Sequence, residues 1–146
     1  MQIAKATLAN MGQVVDLALL LWPNHSRTDL QAELTDLLQS SSTVFFLVTK
    51  DAQPVAFAQC SIRTDYVEGT DSSPVGYLEG IFVLPAYRRQ GVARSLIQAC
   101  ESWSRERGCI QLASDCELDN AESLAFHLRS GFMEVNRLIC FVKNIR

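Results

Sequence analysis

Apolar residues recur at helical spacing in some stretches and alternate or run together in others, which sorts the chain into elements. "QIAKAT" reads as a first strand. Asn10 is placed to cap a helix that keeps Met11, Val14, Val15, Ala18 and Leu21 on one face, and Pro23 ends it. Thr28 and Gln31 have capping-box spacing for a second helix with Leu30, Leu34, Leu37 and Leu38 inward. "TVFFLVT" and "VAFAQCSIR" flank "KDAQP" as a hairpin. The polar, acidic "TDYVEGTDSSP" is longer than a connection needs and is read as a binding loop. "VGYLEGIFVL" is the next strand, followed by a helix from Gly91 to about Arg107 with Val92, Leu96, Ala99, Cys100 and Trp103 on one side. Gly108 is its expected stop. "CIQLAS" reads as a strand, "DNAESLAFHLRSGF" as a short helix closed by Gly131, and "FMEVNRLICFVKNI" as one bent strand or two. The order β-α-α-β-β-β-α-β-α-β(-β) predicts an α/β (α+β) fold, a mixed central sheet with helices on both faces.

Composition bounds the function. A chain of 146 residues suits one domain, residues 1–146, around a single core. Hydrophobic residues make up 48% and charged residues 20%, with a net charge of −3. That acidic balance argues against a nucleic-acid partner and leaves a cationic small molecule open. "MQIAKATLANMGQ" has no apolar core of a signal peptide, and "VVDLALLLW" is broken by Asp16 and too short to span a bilayer. The expectation is a cytoplasmic protein without a membrane segment. Five cysteines without a Cys-x-x-Cys, beside only two histidines, read as reduced and mostly buried thiols with no metal.

The stretch "GIFVLPAYRRQGVARSLI" hands a strand to a helix through a cationic turn. The free N–H groups and partial positive charge of a helix start attract phosphate, and two arginines add to that. Gly91 lets a bulky anion come close to the backbone. The turn lacks the further glycines of a dinucleotide fingerprint and the Gly-Lys-Ser/Thr of a P-loop. It reads as a pyrophosphate cradle, or else as a plain strand–helix corner with solvated arginines.

Arg-x-x-Gly-x-Ala after an apolar strand, with the closing "AFHLRSGF", resembles the acetyl-CoA signature of the GNAT N-acetyltransferases. "LWPNH", "DYVEGTDSSPV", "YLEGIFVLP" and "ASDCELDN" resemble the smaller family of chromosomal-type aminoglycoside 6'-N-acetyltransferases, over nearly the whole chain. The resemblance implies a GNAT fold, acetyl-CoA as co-substrate, and a homodimer. It implies that the strand end Ile81, Phe82 and Val83 pairs with pantetheine, and that Arg89, Gln90, Gly91, Val92, Ala93 and Arg94 hold the diphosphate. Asn120 matches a further coenzyme contact.

Acyl transfer to an amine needs a neutral amine, a proton acceptor, a donor to the carbonyl oxygen and help for the leaving thiolate. A backbone N–H near Phe82 or Val83 would serve the oxygen if the strand bulges there. Glu79 lies inside a strand, where a carboxylate must be paired, hydrated or functional. Its alternative to function is an ion pair with an arginine such as Arg63. Asp115 ends the next strand, and its alternative is capping the following turn. The resemblance puts both in the acceptor site, with Asp115 the better base. Trp22 and Tyr66 match substrate contacts as an aromatic wall for a cationic sugar; Trp22 also suits a helix-end core. His25 lines the same mouth or is a solvated loop residue. His127 stands where many GNAT enzymes carry a tyrosine acid, or is a satisfied helix histidine. Asn136 stands where the smaller family carries glutamate, which weakens the hold on a remote ammonium.

The expected function is direct transfer, in a ternary complex, of acetyl from acetyl-CoA to the 6'-amino group of an aminoglycoside, with antibiotic resistance as its consequence. No Cys–His pair supports an acyl-enzyme, although Cys116 adjoins Asp115. The alternatives are a GNAT enzyme for another amine, such as a polyamine or a peptide N-terminus, and a non-catalytic acyl-CoA sensor.

Overall fold

A computed structural model describes residues 1–146. Five strands form one sheet in chain order: β1 (Gln2–Lys5), β2 (Thr43–Lys50), β3 (Gln53–Arg63), β4 (Val75–Val83) and β5 (Leu112–Ser114). The first four are antiparallel neighbours, and β5 runs parallel to β4. The crossover between them carries α3 (Val92–Glu106). The other helices are α1 (Met11–Leu21), α2 (Arg27–Leu38) and α4 (Ala121–Arg129).

Alternation along β2 builds two cores, one on each face of the sheet. Val44, Phe46 and Val48 pack with Leu96, Cys100 and Trp103 of α3. Phe45 and Leu47 pack with Met11, Val14 and Ala18 of α1 and Leu30 and Leu34 of α2. The mixed sheet with helices on both faces is therefore as the sequence predicts.

Four local expectations are corrected. α2 begins earlier than its expected capping box: Ser26 is the cap, and its Oγ accepts from the Asp29 N–H at 3.1 Å. Asn10 occupies the N-cap of α1 as expected, but its side chain turns back to accept from the Thr7 N–H at 2.7 Å and so stabilises the preceding turn instead of bonding the first turn of α1. The stretch from Phe132 onward forms no strand. β-propensity there is high, but a strand needs a partner edge, and the tail finds none within the chain. Met133, Ile139, Phe141, Val142 and Ile145 are each more than three-quarters exposed. β5 is also shorter than expected: the Cys109 N–H still bonds the end of α3 at Ser104, and the first bond to β4 comes from the Gly76 N–H to the Gln111 carbonyl.

Candidate active site

β4 and β5 pair only from Gly76–Leu112 to Leu78–Ser114. Beyond Leu78 the two strands part, and one edge of β4 is left open from Glu79 to Val83. The register on the other edge explains where this happens. Gln59 opposes Gly80 and Cys60 opposes Leu78, so Glu79 is the extra residue of a β-bulge. The bulge lies at Glu79 and not, as expected, near Phe82 or Val83, which oppose Phe57 and Ala56 in regular register.

Alternation then decides which backbone groups are free. The Leu84 N–H bonds the Val55 carbonyl at 2.9 Å, on the β3 side. Phe82 faces the same way, while Ile81 and Val83 face the open edge. Arg88 confirms this side for Val83, since its Nε donates to the Val83 carbonyl at 2.8 Å. Of the two expected donors to an acyl oxygen, Val83 qualifies and Phe82 does not.

The cationic turn follows this edge. Gly91 caps α3 with φ of +81°, in the left-handed region that favours glycine, and a Cβ there would meet no protein atom. The first N–H groups of α3, at Val92, Ala93 and Arg94, point out of the helix start. Arg89 and Arg94 are exposed and have no ion-pair partner. The Gln90 amide donates to the Ala86 carbonyl at 3.2 Å, which holds the turn. Asn120 caps α4, its Oδ1 accepting from the Ser123 N–H at 3.0 Å. That leaves its amide N–H groups for another acceptor.

Carboxylates gather at the start of the open edge. Glu79 makes the ion pair with Arg63 that sequence reading named as its alternative role: Nη2 lies 2.7 Å from Oε1, and Nε donates to Oε2 at 3.2 Å. Ser61 Oγ also donates to Oε2. The Arg63 guanidinium lies 3.5 Å above the Tyr77 ring. Burial pulls Arg63 down, but its hydrogen bond to Glu79 and the attraction of Glu79 and nearby Asp115 together outweigh this and raise it, keeping it firmly cationic. The Tyr77 hydroxyl donates to Asp115 Oδ2. Burial, and then that bond, pushes the Tyr77 hydroxyl well above its usual range, so it stays a donor. Trp22 closes one side: a Cβ at Gly80 would come within 2.6 Å of its ring, so only glycine admits it beside Glu79. The same ring meets Phe57 edge-on at 6.1 Å, making Trp22 both core and wall.

Tyr66 and Asn136 meet at a residue that sequence reading did not single out. The Asn136 amide donates to Glu68 Oε1 at 2.8 Å and the Tyr66 hydroxyl to Glu68 Oε2 at 3.3 Å. Glu68 was visible only as part of an acidic loop. Val67 anchors that loop by packing with Val75 and Tyr77. His25 is exposed in the turn after Trp22, without a side-chain partner. His127 uses both ring nitrogens: Nδ1 donates to the Ser123 carbonyl at 2.7 Å, and Nε2 lies 2.8 Å from Ser114 Oγ. Ser114 Oγ in turn reaches the Leu78 carbonyl at 3.2 Å, at the point where β4 and β5 separate.

The chain matches the acetyltransferase (GNAT) family model over residues 13–132. It is 44% identical over 146 residues to an aminoglycoside N(6')-acetyltransferase type 1 of Acinetobacter genomosp. 13, covering 99% of each chain. It is 43% identical over 123 residues to the same type of enzyme from Salmonella typhimurium, covering 84% of this chain and 85% of the relative. The crystal structure of an aminoglycoside 6'-N-acetyltransferase from Acinetobacter haemolyticus superposes with a TM-score of 0.96 at 40% identity over all of both chains. A further neighbour, AAC(6')-Iy in complex with the bisubstrate analog CoA-S-monomethyl-acetylneamine, superposes at 0.93 with 38% identity, over 99% of this chain and 98% of that one. The bulged strand, the cationic helix start and these relatives agree: the chain belongs to the GNAT acetyltransferase family, in its aminoglycoside N(6')-acetyltransferase branch.

Proposed function

We propose that this protein transfers the acetyl group of acetyl-CoA to the 6'-amino group of an aminoglycoside, by direct attack in a ternary complex. The observation that carries the reading is the single open edge of β4, with carboxylates at one end and a cationic helix start at the other. It suits a cationic amine acceptor and a pyrophosphate-bearing acyl donor respectively.

The roles follow from position. Val92, Ala93 and Arg94 offer backbone N–H groups to the diphosphate, and Arg89 and Arg94 add charge. Ile81 and Val83 offer backbone groups to the pantetheine arm. Arg88 crosses this edge, and its bond to the Val83 carbonyl must give way where pantetheine pairs. Asp115 takes a proton from the acceptor ammonium. The neutral amine attacks the thioester carbon, whose oxygen gains charge and is met by the Val83 N–H. The C–N bond forms as the C–S bond breaks. The second amine proton goes to the thiolate, giving free coenzyme A and the acetamide, and Asp115 returns its proton to water. His127 serves the sulfur end through Ser114, because its own Nε2 is engaged there. Trp22, Tyr66 and His25 line the acceptor side, with Glu68 as an added anion for a remote ammonium.

We further propose a homodimer in which a second copy covers the exposed apolar tail. Cytoplasmic activity and a role in drug resistance follow the same reading. No helix is long and apolar enough to cross a membrane.

Acetyl-CoA turnover with kanamycin, with spermidine and without acceptor tests the activity. Turnover with kanamycin alone is the expected result. Preference for spermidine reassigns the acceptor, and acetyl-CoA binding without turnover on any amine refutes catalysis.

A further inference from the structure

Five side chains from three adjacent strands or strand ends make one continuous set of contacts. Ser61 and Arg63 end β3, Glu79 and Tyr77 lie on β4, and Asp115 follows β5. Contacts run from Ser61 and Arg63 to Glu79, from Arg63 to the Tyr77 ring, and from the Tyr77 hydroxyl to Asp115.

Asp115 is exposed and sits just beyond a three-residue strand. Its side chain has one hydrogen-bond partner in the chain, Tyr77. An exposed carboxylate at a strand end turns easily about its side-chain bonds, and an acceptor amine must find it in one orientation. Tyr77, by contrast, is fixed. It is 8% exposed, packed with Val67 and Val75, with Ala113 alongside. The Arg63 guanidinium covers the ring, and Arg63 is itself held by its fork on Glu79. The bond to Oδ2 therefore fixes the carboxylate plane and leaves Oδ1 for the acceptor.

We propose that Tyr77 is a positioning residue for acyl transfer, holding Asp115 in the orientation that receives the acceptor's proton, and that Arg63 locks Tyr77 in place. This rests on the reading of Asp115 as base given above. Arg63 has a second consequence. One cation faces the two anions Glu79 and Asp115, so the cluster keeps one uncompensated negative charge for one substrate ammonium. Glu79 is neutralised in the free protein, and Asp115 is the carboxylate left for the incoming amine.

Tyr77→Phe is the discriminating variant, because it keeps the ring, its packing and the stack under Arg63 and removes only the hydroxyl. With kanamycin as acceptor, kcat is expected to fall about tenfold or more through lost orientation, while the KM for acetyl-CoA stays unchanged. In an Asp115→Asn background the same substitution should cost less than about twofold, since there is no base left to orient. A purely structural role would lower both backgrounds equally. Arg63→Gln is the second variant, with the same pattern expected and the same non-additivity with Tyr77→Phe. Unchanged kcat in Tyr77→Phe, or losses that simply add to those of Asp115→Asn, overturn the proposal. Near-normal activity of Asp115→Asn alone overturns the reading of the base instead, so the two failures are told apart.

Discussion

Asn136 donates its amide to Glu68 at 2.8 Å, and this bond, beside the packing of Val135 on Gly69, ties the tail to the acidic loop. Asparagine here is a donor that quiets a carboxylate. Asn136→Glu would replace that donor with a second anion beside Glu68. The free protein loses a hydrogen bond and gains a repulsion, which a substrate ammonium between the two carboxylates would relieve. The KM for a polyamino aminoglycoside is expected to fall several-fold, roughly one kcal/mol. The gain should shrink with added salt, since both groups are exposed. kcat should hold, because a remote ring is gripped equally in ground and transition states. Steady-state kinetics at low and high salt decide it; an unchanged or higher KM removes Asn136 and Glu68 from the acceptor site.

Gly91→Val tests the cradle. A Cβ at Gly91 meets no protein atom, so the side chain has room in the free protein. Its cost comes from the left-handed φ of +81° and from any diphosphate brought against that backbone. The strain is about 1–2 kcal/mol in stability, whereas the loss of acetyl-CoA affinity should be larger, at about a hundredfold or 2.7 kcal/mol. Calorimetric titration of the folded variant measures it. Full affinity in a destabilised protein would mean that the diphosphate lies elsewhere.

These two sites differ in how far the sequence reveals them. The cradle is local: a strand, a turn and a helix start are contiguous, and the Arg-x-x-Gly-x-Ala spacing carries them. α1 and α3 were likewise legible from their helical period, and the β2–β3 hairpin from its turn. The acceptor cluster depends on register. Tyr77 reads as one more apolar strand residue until β5 places Asp115 beside its hydroxyl. The bulge is invisible in the alternation of "YLEGIFV", because only the pairing of Gln59 with Gly80 and Cys60 with Leu78 isolates Glu79. Gly80 shows its reason only when α1 lays Trp22 over it. The tail misled for the same reason in reverse, since strand-forming side chains say nothing about where a partner edge lies.

That tail supports a further prediction. Burying a large apolar side chain is worth about 1.5–3 kcal/mol, and Ile139, Phe141, Val142 and Ile145 are all largely exposed. A second copy covering them should make the protein a dimer at micromolar concentration. Truncation after Asn136, which keeps the bond to Glu68, should yield a monomer of unchanged fold by sedimentation equilibrium and circular dichroism. A full-length chain that sediments as a monomer, or a truncated chain that stays dimeric, refutes the tail as the contact.

The hydroxyl of Tyr77 should also set an alkaline limit to stability. Burial, followed by its bond to Asp115, raises it above its ordinary 10.0. The folded state therefore keeps the proton at a pH where the unfolded chain releases it. The stability this contributes is fully present below pH 10 and is lost as pH rises from there toward the folded value. One proton changes the free energy of unfolding by at most about 1.4 kcal/mol per pH unit. Tyr77→Phe has no such proton to lose. Between pH 10 and 11 the native protein should therefore lose stability faster than the variant, by up to that amount. Every other ionisable group is the same in both proteins, so the difference between them isolates Tyr77. Urea unfolding midpoints at pH 8, 10 and 11 measure it. Parallel losses in the two proteins would mean that the Tyr77 hydroxyl is solvated and free, and with it would go the fixed bond to Asp115.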